Sequence, residues 1–118
     1  MSSTEKKEVM PRHFVEQSSI PWQQMAPGVR RKIMAFEESI MLVRVEFEKG
    51  AIGSVHKHFH VQMTSVESGV FEIEIAGCKK ILRQGDVFHV PSDLLHGAVC
   101  LEAGVLIDTF SPMREDFL

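Results

Sequence analysis

Apolar and polar residues alternate along much of this chain, with the period of extended backbone rather than of a helix. Over residues 41–48 the alternation is clearest: Met41, Val43, Val45 and Phe47 take one side, Arg44, Glu46 and Glu48 the other, and Lys49-Gly50 ends the run. Residues 70–76 alternate in the same way between Phe71, Ile73, Ile75 and Glu72, Glu74. Around these two, the pattern predicts a strand over 29–36, broken in its alternation by Arg30-Arg31-Lys32, and a short strand carrying the histidines near residue 56. It then predicts a strand over 63–67 with Ser68-Gly69 as a turn, one over 79–83, and one over 87–90 closed by Pro91. A last pair, 97–101 and 105–110, brackets Glu102-Ala103-Gly104. Ile20-Pro21-Trp22 and Ala26-Pro27-Gly28 each hold a proline, which removes a backbone donor, and they read as connecting loops. Many short strands, turn residues between them and no sustained helical period predict an antiparallel sandwich or barrel.

At 118 residues the chain has enough length for one core and not for two. Residues 1–12 are polar and charged and read as a flexible arm, leaving 13–118 as the domain. A formal charge of −3 gives no general attraction to polyanions, which argues against a nucleic-acid partner. The first residues lack the apolar stretch of a secretory signal and no later apolar run is long enough to span a bilayer, so the expectation is a cytoplasmic protein with no membrane partner. Cys78 and Cys100 form neither a CxxC pair nor a disulfide framework and read as free thiols.

The candidate chemistry begins at residues 55–62. If the strand ran straight, His56, His58, His60 and Gln62 would share one face and Val55, Lys57, Phe59 and Val61 the other. Three imidazoles and an amide side by side bury little apolar surface, and each needs a partner once it leaves water. A bound cation gives such a row a purpose. A second candidate is the run from Gly104 to the C-terminus, where Leu106, Asp108 and Phe110 share one strand face. If that face looks inward, a carboxylate sits in an apolar pocket and is a plausible acid or base, with Arg114 reaching back over the mouth to grip an anion with its planar fork. The residues alone leave open a turn-capping Asp108 and a surface-paired Arg114. His89, on the apolar 87–90 strand, reads as a hydrogen-bonded packing residue.

Gly50, five residues, His56-x-His58, three residues and Gln62 resembles the first motif of the cupin family, with Gln where many members have Glu. Gly85, five residues, Pro91 and then His96 resembles the second. This resemblance implies an all-β, single-domain jelly roll, or double-stranded β-helix, behind the N-terminal arm, with a metal held by His56, His58, Gln62 and His96. Three neutral imidazoles and an amide oxygen suit a divalent transition metal such as Ni, Zn, Fe or Mn. No ligand in that set is anionic, so the cation would keep its full charge and suit an anionic substrate. His60 has no place in the four-ligand pattern and reads as a supporting residue, a proton carrier or hydrogen-bond donor near the metal.

Within the cupins the chain resembles the KdgF family, through Pro21-Trp22, residues 28–33, HxHxxxQ, Pro91 to His96-Gly97, residues 100–104 and the tail from Asp108 through Phe110, Ser111-Pro112 and Arg114. It departs from that pattern near Phe59, Val61 and Ser65. The resemblance implies conversion of 4,5-unsaturated monouronates, released by pectin or alginate lyases, to the linear 5-keto-4-deoxyuronate. It places catalytic roles on Asp108, Phe110 and Arg114, and it implies a small anionic sugar-acid substrate and a homodimer. The alternatives are a non-catalytic cupin that binds a carboxylated metabolite and an oxygen-using Fe(II) enzyme. The latter more often uses a two-His, one-carboxylate set, to which the Gln62 amide does not conform.

Overall fold

Alternation in the sequence becomes alternation in burial. In the computed structural model, which describes residues 13–118, eight strands form among the described residues: β1 (Gln23–Ala26), β2 (Val29–Glu37), β3 (Ile40–Phe47), β4 (Ile52–His56), β5 (Val61–Ile75), β6 (Cys78–Arg83), β7 (Val87–Val90) and β8 (His96–Ser111). Short 3-10 turns lie at Gln17–Ser19 and Glu115–Phe117. The arm expected over residues 1–12 lies outside the described residues. In β3 the inward set Met41, Val43 and Phe47 is buried. Phe88 and Val90 are buried in β7 while His89 between them is exposed, so His89 is not the packing residue expected.

Every strand pairing is antiparallel, and β5 and β8 organise the rest. They run side by side from Val61 opposite Ser111 to Ile75 opposite His96. Along the C-terminal half of β8 lies β3, which carries β2 and β1 beyond it, and along the N-terminal half of β5 lies β7. At the other end β4 flanks the start of β8 and β6 flanks the C-terminal half of β5. Two half-sheets, β1-β2-β3-β8-β5-β7 and β4-β8-β5-β6, therefore share their two long strands. This is the all-β jelly roll that the motifs implied. Val29, Phe47, Val66, Phe88 and Leu106 of the first half-sheet pack with Phe71, Ile73 and Cys100 of the second, and the Phe47 and Phe71 rings meet edge to face with centroids 5.2 Å apart.

Three local expectations change. Ser68-Gly69 is not a turn and Glu102-Ala103-Gly104 does not divide two strands: β5 and β8 run through both, with register shifts around Val66, Ser68 and Val70. Gly69 sits at φ +83, and a Cβ there would come within 2.6 Å of the Glu102 carbonyl and of the Gly104 Cα. A glycine on each strand lets the two backbones close on one another where both bend from one half-sheet into the other. Second, Gln23–Ala26 forms β1 between the two proline segments, at the sheet edge where missing donors cost no ladder bond. Third, the histidine row does not run straight, because β4 ends at His56 and β5 begins only at Val61.

Candidate functional site

The break after His56 lets three histidines converge from different directions. His56 ends β4 directly opposite His96, which opens β8, while His58 lies in the connection at 57–60 and Gln62 is the second residue of β5. One ring nitrogen each of His56, His58 and His96 falls within 4.8 Å of the others. The imidazole centroids of His56 and His96 are 4.4 Å apart and those of His58 and His96 4.8 Å. Gln62 Oε1 lies 3.1 Å from Nε2 of both His58 and His96.

The tautomers follow from the backbone. Each Nδ1 faces a carbonyl two residues away: His56 that of Ser54 at 2.8 Å, His58 that of His60 at 2.9 Å and His96 that of Leu94 at 2.9 Å. A carbonyl only accepts, so each Nδ1 carries a proton, and the neutral rings of His58 and His96 turn a bare Nε2 lone pair toward Gln62 Oε1. Burial keeps His58 and His96 in that neutral form, pushing His96 down to about 4 and lowering His58, whose value the nearby Arg114 lowers further. The Gln62 amide is oriented from its other end: Nε2 donates to Thr64 Oγ1 at 2.9 Å and to Asp108 Oδ1 at 3.3 Å, which turns Oε1 toward the rings. The bare His58 and His96 nitrogens and the Gln62 oxygen thus face one another with no proton among them, and a ring nitrogen of His56 converges on the same place. That arrangement repels itself when empty and fits a divalent cation.

Asp108 lies immediately behind this cluster. Its β5 neighbour in register is Thr64, fully buried, whose hydroxyl donates to Asp108 Oδ1 at 2.6 Å. Burial pushes the Asp108 carboxyl up to about 6 against the opposing pull of the Thr64 hydroxyl and the Arg114 charge. The inward reading of the last strand therefore holds, and the turn-capping reading does not. Asp108, Phe110, Arg114, His56, Gln62 and His96 all line one cavity of about 260 Å³, whose walls are otherwise mostly apolar. The cavity has room for a single small ligand.

Arg114 differs from expectation in one respect. It is buried, and its Nε and Nη2 donate to the two carboxylate oxygens of Asp116 at 3.0 and 2.8 Å, so one edge of its fork is already engaged. That bond holds Asp116 below the usual carboxylate range. His60 does not join the cluster. Its backbone carbonyl positions His58, its ring stacks on Phe59 at 3.9 Å, and its buried Nδ1 has no hydrogen-bond partner. Sequence reasoning missed Thr64, Arg31 and Phe117, all of which touch this cavity or its carboxylate. Thr64 has the same parity as Gln62 on one strand, but only the β5–β8 register places it against Asp108.

Comparison with known proteins places the chain in a family. The cupin domain family matches residues 43–110. The pectin degradation protein KdgF of Dickeya dadantii (strain 3937) is 47% identical over 111 residues, covering 92% of this chain and all of that relative. The solved structure of KdgF from Halomonas sp. superposes with a TM-score of 0.86 at 43% identity, over 89% of this chain and 97% of that one. An RmlC-like cupin from Shewanella frigidimarina NCIMB 400 gives 0.88 at 42% identity, over 90% and 96%. The Bacillus subtilis oxalate decarboxylase studied for its Mn(II) centres gives 0.75 at 22% identity, over 87% of this chain and 30% of that one, a likeness of fold.

Proposed function

The chain belongs to the cupin family, in its KdgF branch, and from that premise we propose that it converts 4,5-unsaturated monouronates from pectin or alginate breakdown to the linear 5-keto-4-deoxyuronate. The observation that carries this reading is a half-buried carboxyl with its pKa raised to about 6, lining the same small cavity as His56, Gln62 and His96, two of the three histidines whose nitrogens converge. His56, His58, Gln62 and His96 would hold a divalent transition metal, Ni, Zn, Fe or Mn. Such an ion supplies Lewis-acid stabilisation of negative charge on substrate oxygen.

The substrate is a cyclic hemiacetal with an enol ether across C4 and C5. Ring opening breaks the C1–O5 bond as the proton of the C1 hydroxyl passes to O5, leaving an aldehyde at C1 and an enol at C5; ketonisation then moves a proton from the enol oxygen to C4. Asp108 is the group for that transfer, since a carboxyl near pH 6 both releases and takes up a proton close to neutrality. Thr64 and the Gln62 amide fix Oδ1, leaving Oδ2 to face the substrate. Phe110, buried beside the His58 ring at 5.7 Å, excludes water, and Arg114 orients the acid group.

The test follows the absorbance of the conjugated C=C of lyase-generated monomer. Wild type should bleach it faster than buffer, and Asp108→Ala should lose about 10²- to 10⁴-fold in kcat. A wild-type rate equal to buffer ends the reading and leaves a metabolite-binding cupin. The same reading includes a cytoplasmic location, consistent with the free thiols of Cys78 and Cys100, and a homodimer. The dimer is supported by the exposed Leu42, Met63 and Val87 on the face of β3, β5 and β7 turned away from the core.

A further inference from the structure

Two arginines meet on one aromatic ring at the edge of the cavity. The guanidinium carbon of Arg31, from β2, is 3.8 Å from the Phe117 ring centroid, and that of Arg114 is 4.2 Å from the same centroid. All three side chains line the cavity that Asp108, His56, Gln62 and His96 line. Their charges are unequally answered. Asp116 takes the Nε and Nη2 edge of Arg114, is itself largely exposed, and lines an outer cleft rather than this cavity. Arg31 donates through Nε to the neutral Gln23 Oε1 at 3.0 Å, and among the described residues no carboxylate makes an ion pair with it.

Burial lowers the pKa of Arg31, the charge of Arg114 lowers it further, and the Asp116 carboxylate offsets these only in part. Two like charges are therefore held beside each other in a partly desolvated place, an arrangement that an anion between them relieves. With one edge of Arg114 engaged by Asp116, a carboxylate entering the cavity would find only part of that fork free and would need a second donor for its other oxygen. The terminal nitrogens of Arg31, held over the shared Phe117 ring, are available for it.

We propose that Arg31 and Arg114 together form a two-guanidinium seat for the substrate carboxylate, with Phe117 as their common platform, and that Arg31 selects uronates over neutral sugars. Resting on the uronate reading above, this adds Arg31 as a specificity-determining residue.

The experiment compares wild type, Arg31→Gln, Arg31→Lys and Phe117→Leu, all loaded with metal and checked for equal metal content. Binding of galacturonate and of galactose is measured by calorimetry, alongside steady-state kinetics on the unsaturated monouronate. Wild type should bind galacturonate in preference to galactose. Arg31→Gln should weaken galacturonate binding about tenfold to a hundredfold, leave galactose unchanged and raise KM by a similar factor with a smaller change in kcat. Lysine, which keeps the charge and loses the fork, should recover part of the affinity, and Phe117→Leu should fall between. If Arg31→Gln does not fold, Arg31→Lys carries the same comparison. Equal galacturonate affinity and KM in wild type and the Arg31 variants overturn the seat, as does a wild type that does not prefer the acid. Arg31-dependent galacturonate binding without turnover keeps the seat and removes the ketonisation reading. Turnover with an unmoved KM does the reverse.

Discussion

Gln62 serves two neighbours because its amide is an acceptor at one end and a donor at the other. Oε1 faces the imidazoles while Nε2 donates to Thr64 and Asp108. Gln62→Glu would keep an oxygen for the metal but set a second carboxylate against Asp108, and like charges make a proton bind more tightly. We expect metal content to stay equal, kcat at pH 7 to fall about tenfold or more, and the rising limb of the pH–rate profile to move to higher pH. An unmoved limb would remove Asp108 from the proton path. Stability tests the same group independently. The Asp108 pKa rises from 3.8 to about 6 on folding, so the native state holds this proton more tightly than the unfolded chain. In metal-stripped protein its contribution is therefore neutral below pH 3.8, turns unfavourable as pH climbs toward about 6, and is fully unfavourable above, by up to about 3 kcal/mol. Asp108→Asn should raise the urea midpoint at pH 8 and leave it unchanged near pH 3.5; an equal shift at both would point to packing instead. The candidate ligands His56, His58, Gln62 and His96 were legible as spaced motifs, whereas Arg31 was not. In a strand, Arg30-Arg31-Lys32 looks like a solvent face interrupting the alternation, and only the fold turns the middle cation inward.

Among the elements, β3 was legible because its alternation and its terminator agree, and β6 and β7 because turn residues and Pro91 bracket them. The long strands were not, because glycine marks a turn and a bend with the same letter. Gly69 and Gly104 face each other so closely that neither has space for a methyl group. Gly69→Ala, at φ +83 and with backbone atoms 2.6 Å from the new carbon, should cost about 2–4 kcal/mol, read as a lower urea midpoint with an unchanged slope. Gly77→Ala, at φ +82 but with open space around it, should cost less, which separates strain from collision. The histidine row shows the limit of period-2 reasoning. Parity would have lined His60 up with His56 and His58 on one strand face, yet the chain leaves the strand after His56; the buried His60 ring meets the His58 ring edge-on at 5.5 Å and adds no nitrogen to the converging set.

For the whole molecule, the converging lone pairs tie metal to stability. A cation that binds the folded chain and not the unfolded one stabilises it by mass action, so removing it with a chelator should lower Tm, by more as the starting metal concentration is raised. The double variant His56→Ala, His58→Ala should show neither the bound metal nor that shift, and an equal response in both proteins would end the metal assignment. The shared strands have a different consequence. Since β5 and β8 each serve both half-sheets, the two halves have no seam along which they could be parted. New chain ends opened at the Ala76-Gly77 hairpin, with the old ones joined by a linker, would leave every ladder whole, whereas ends opened at Gly69 would cut one of the two spines. A library of circular permutants should yield folded protein from the first site and not from the second.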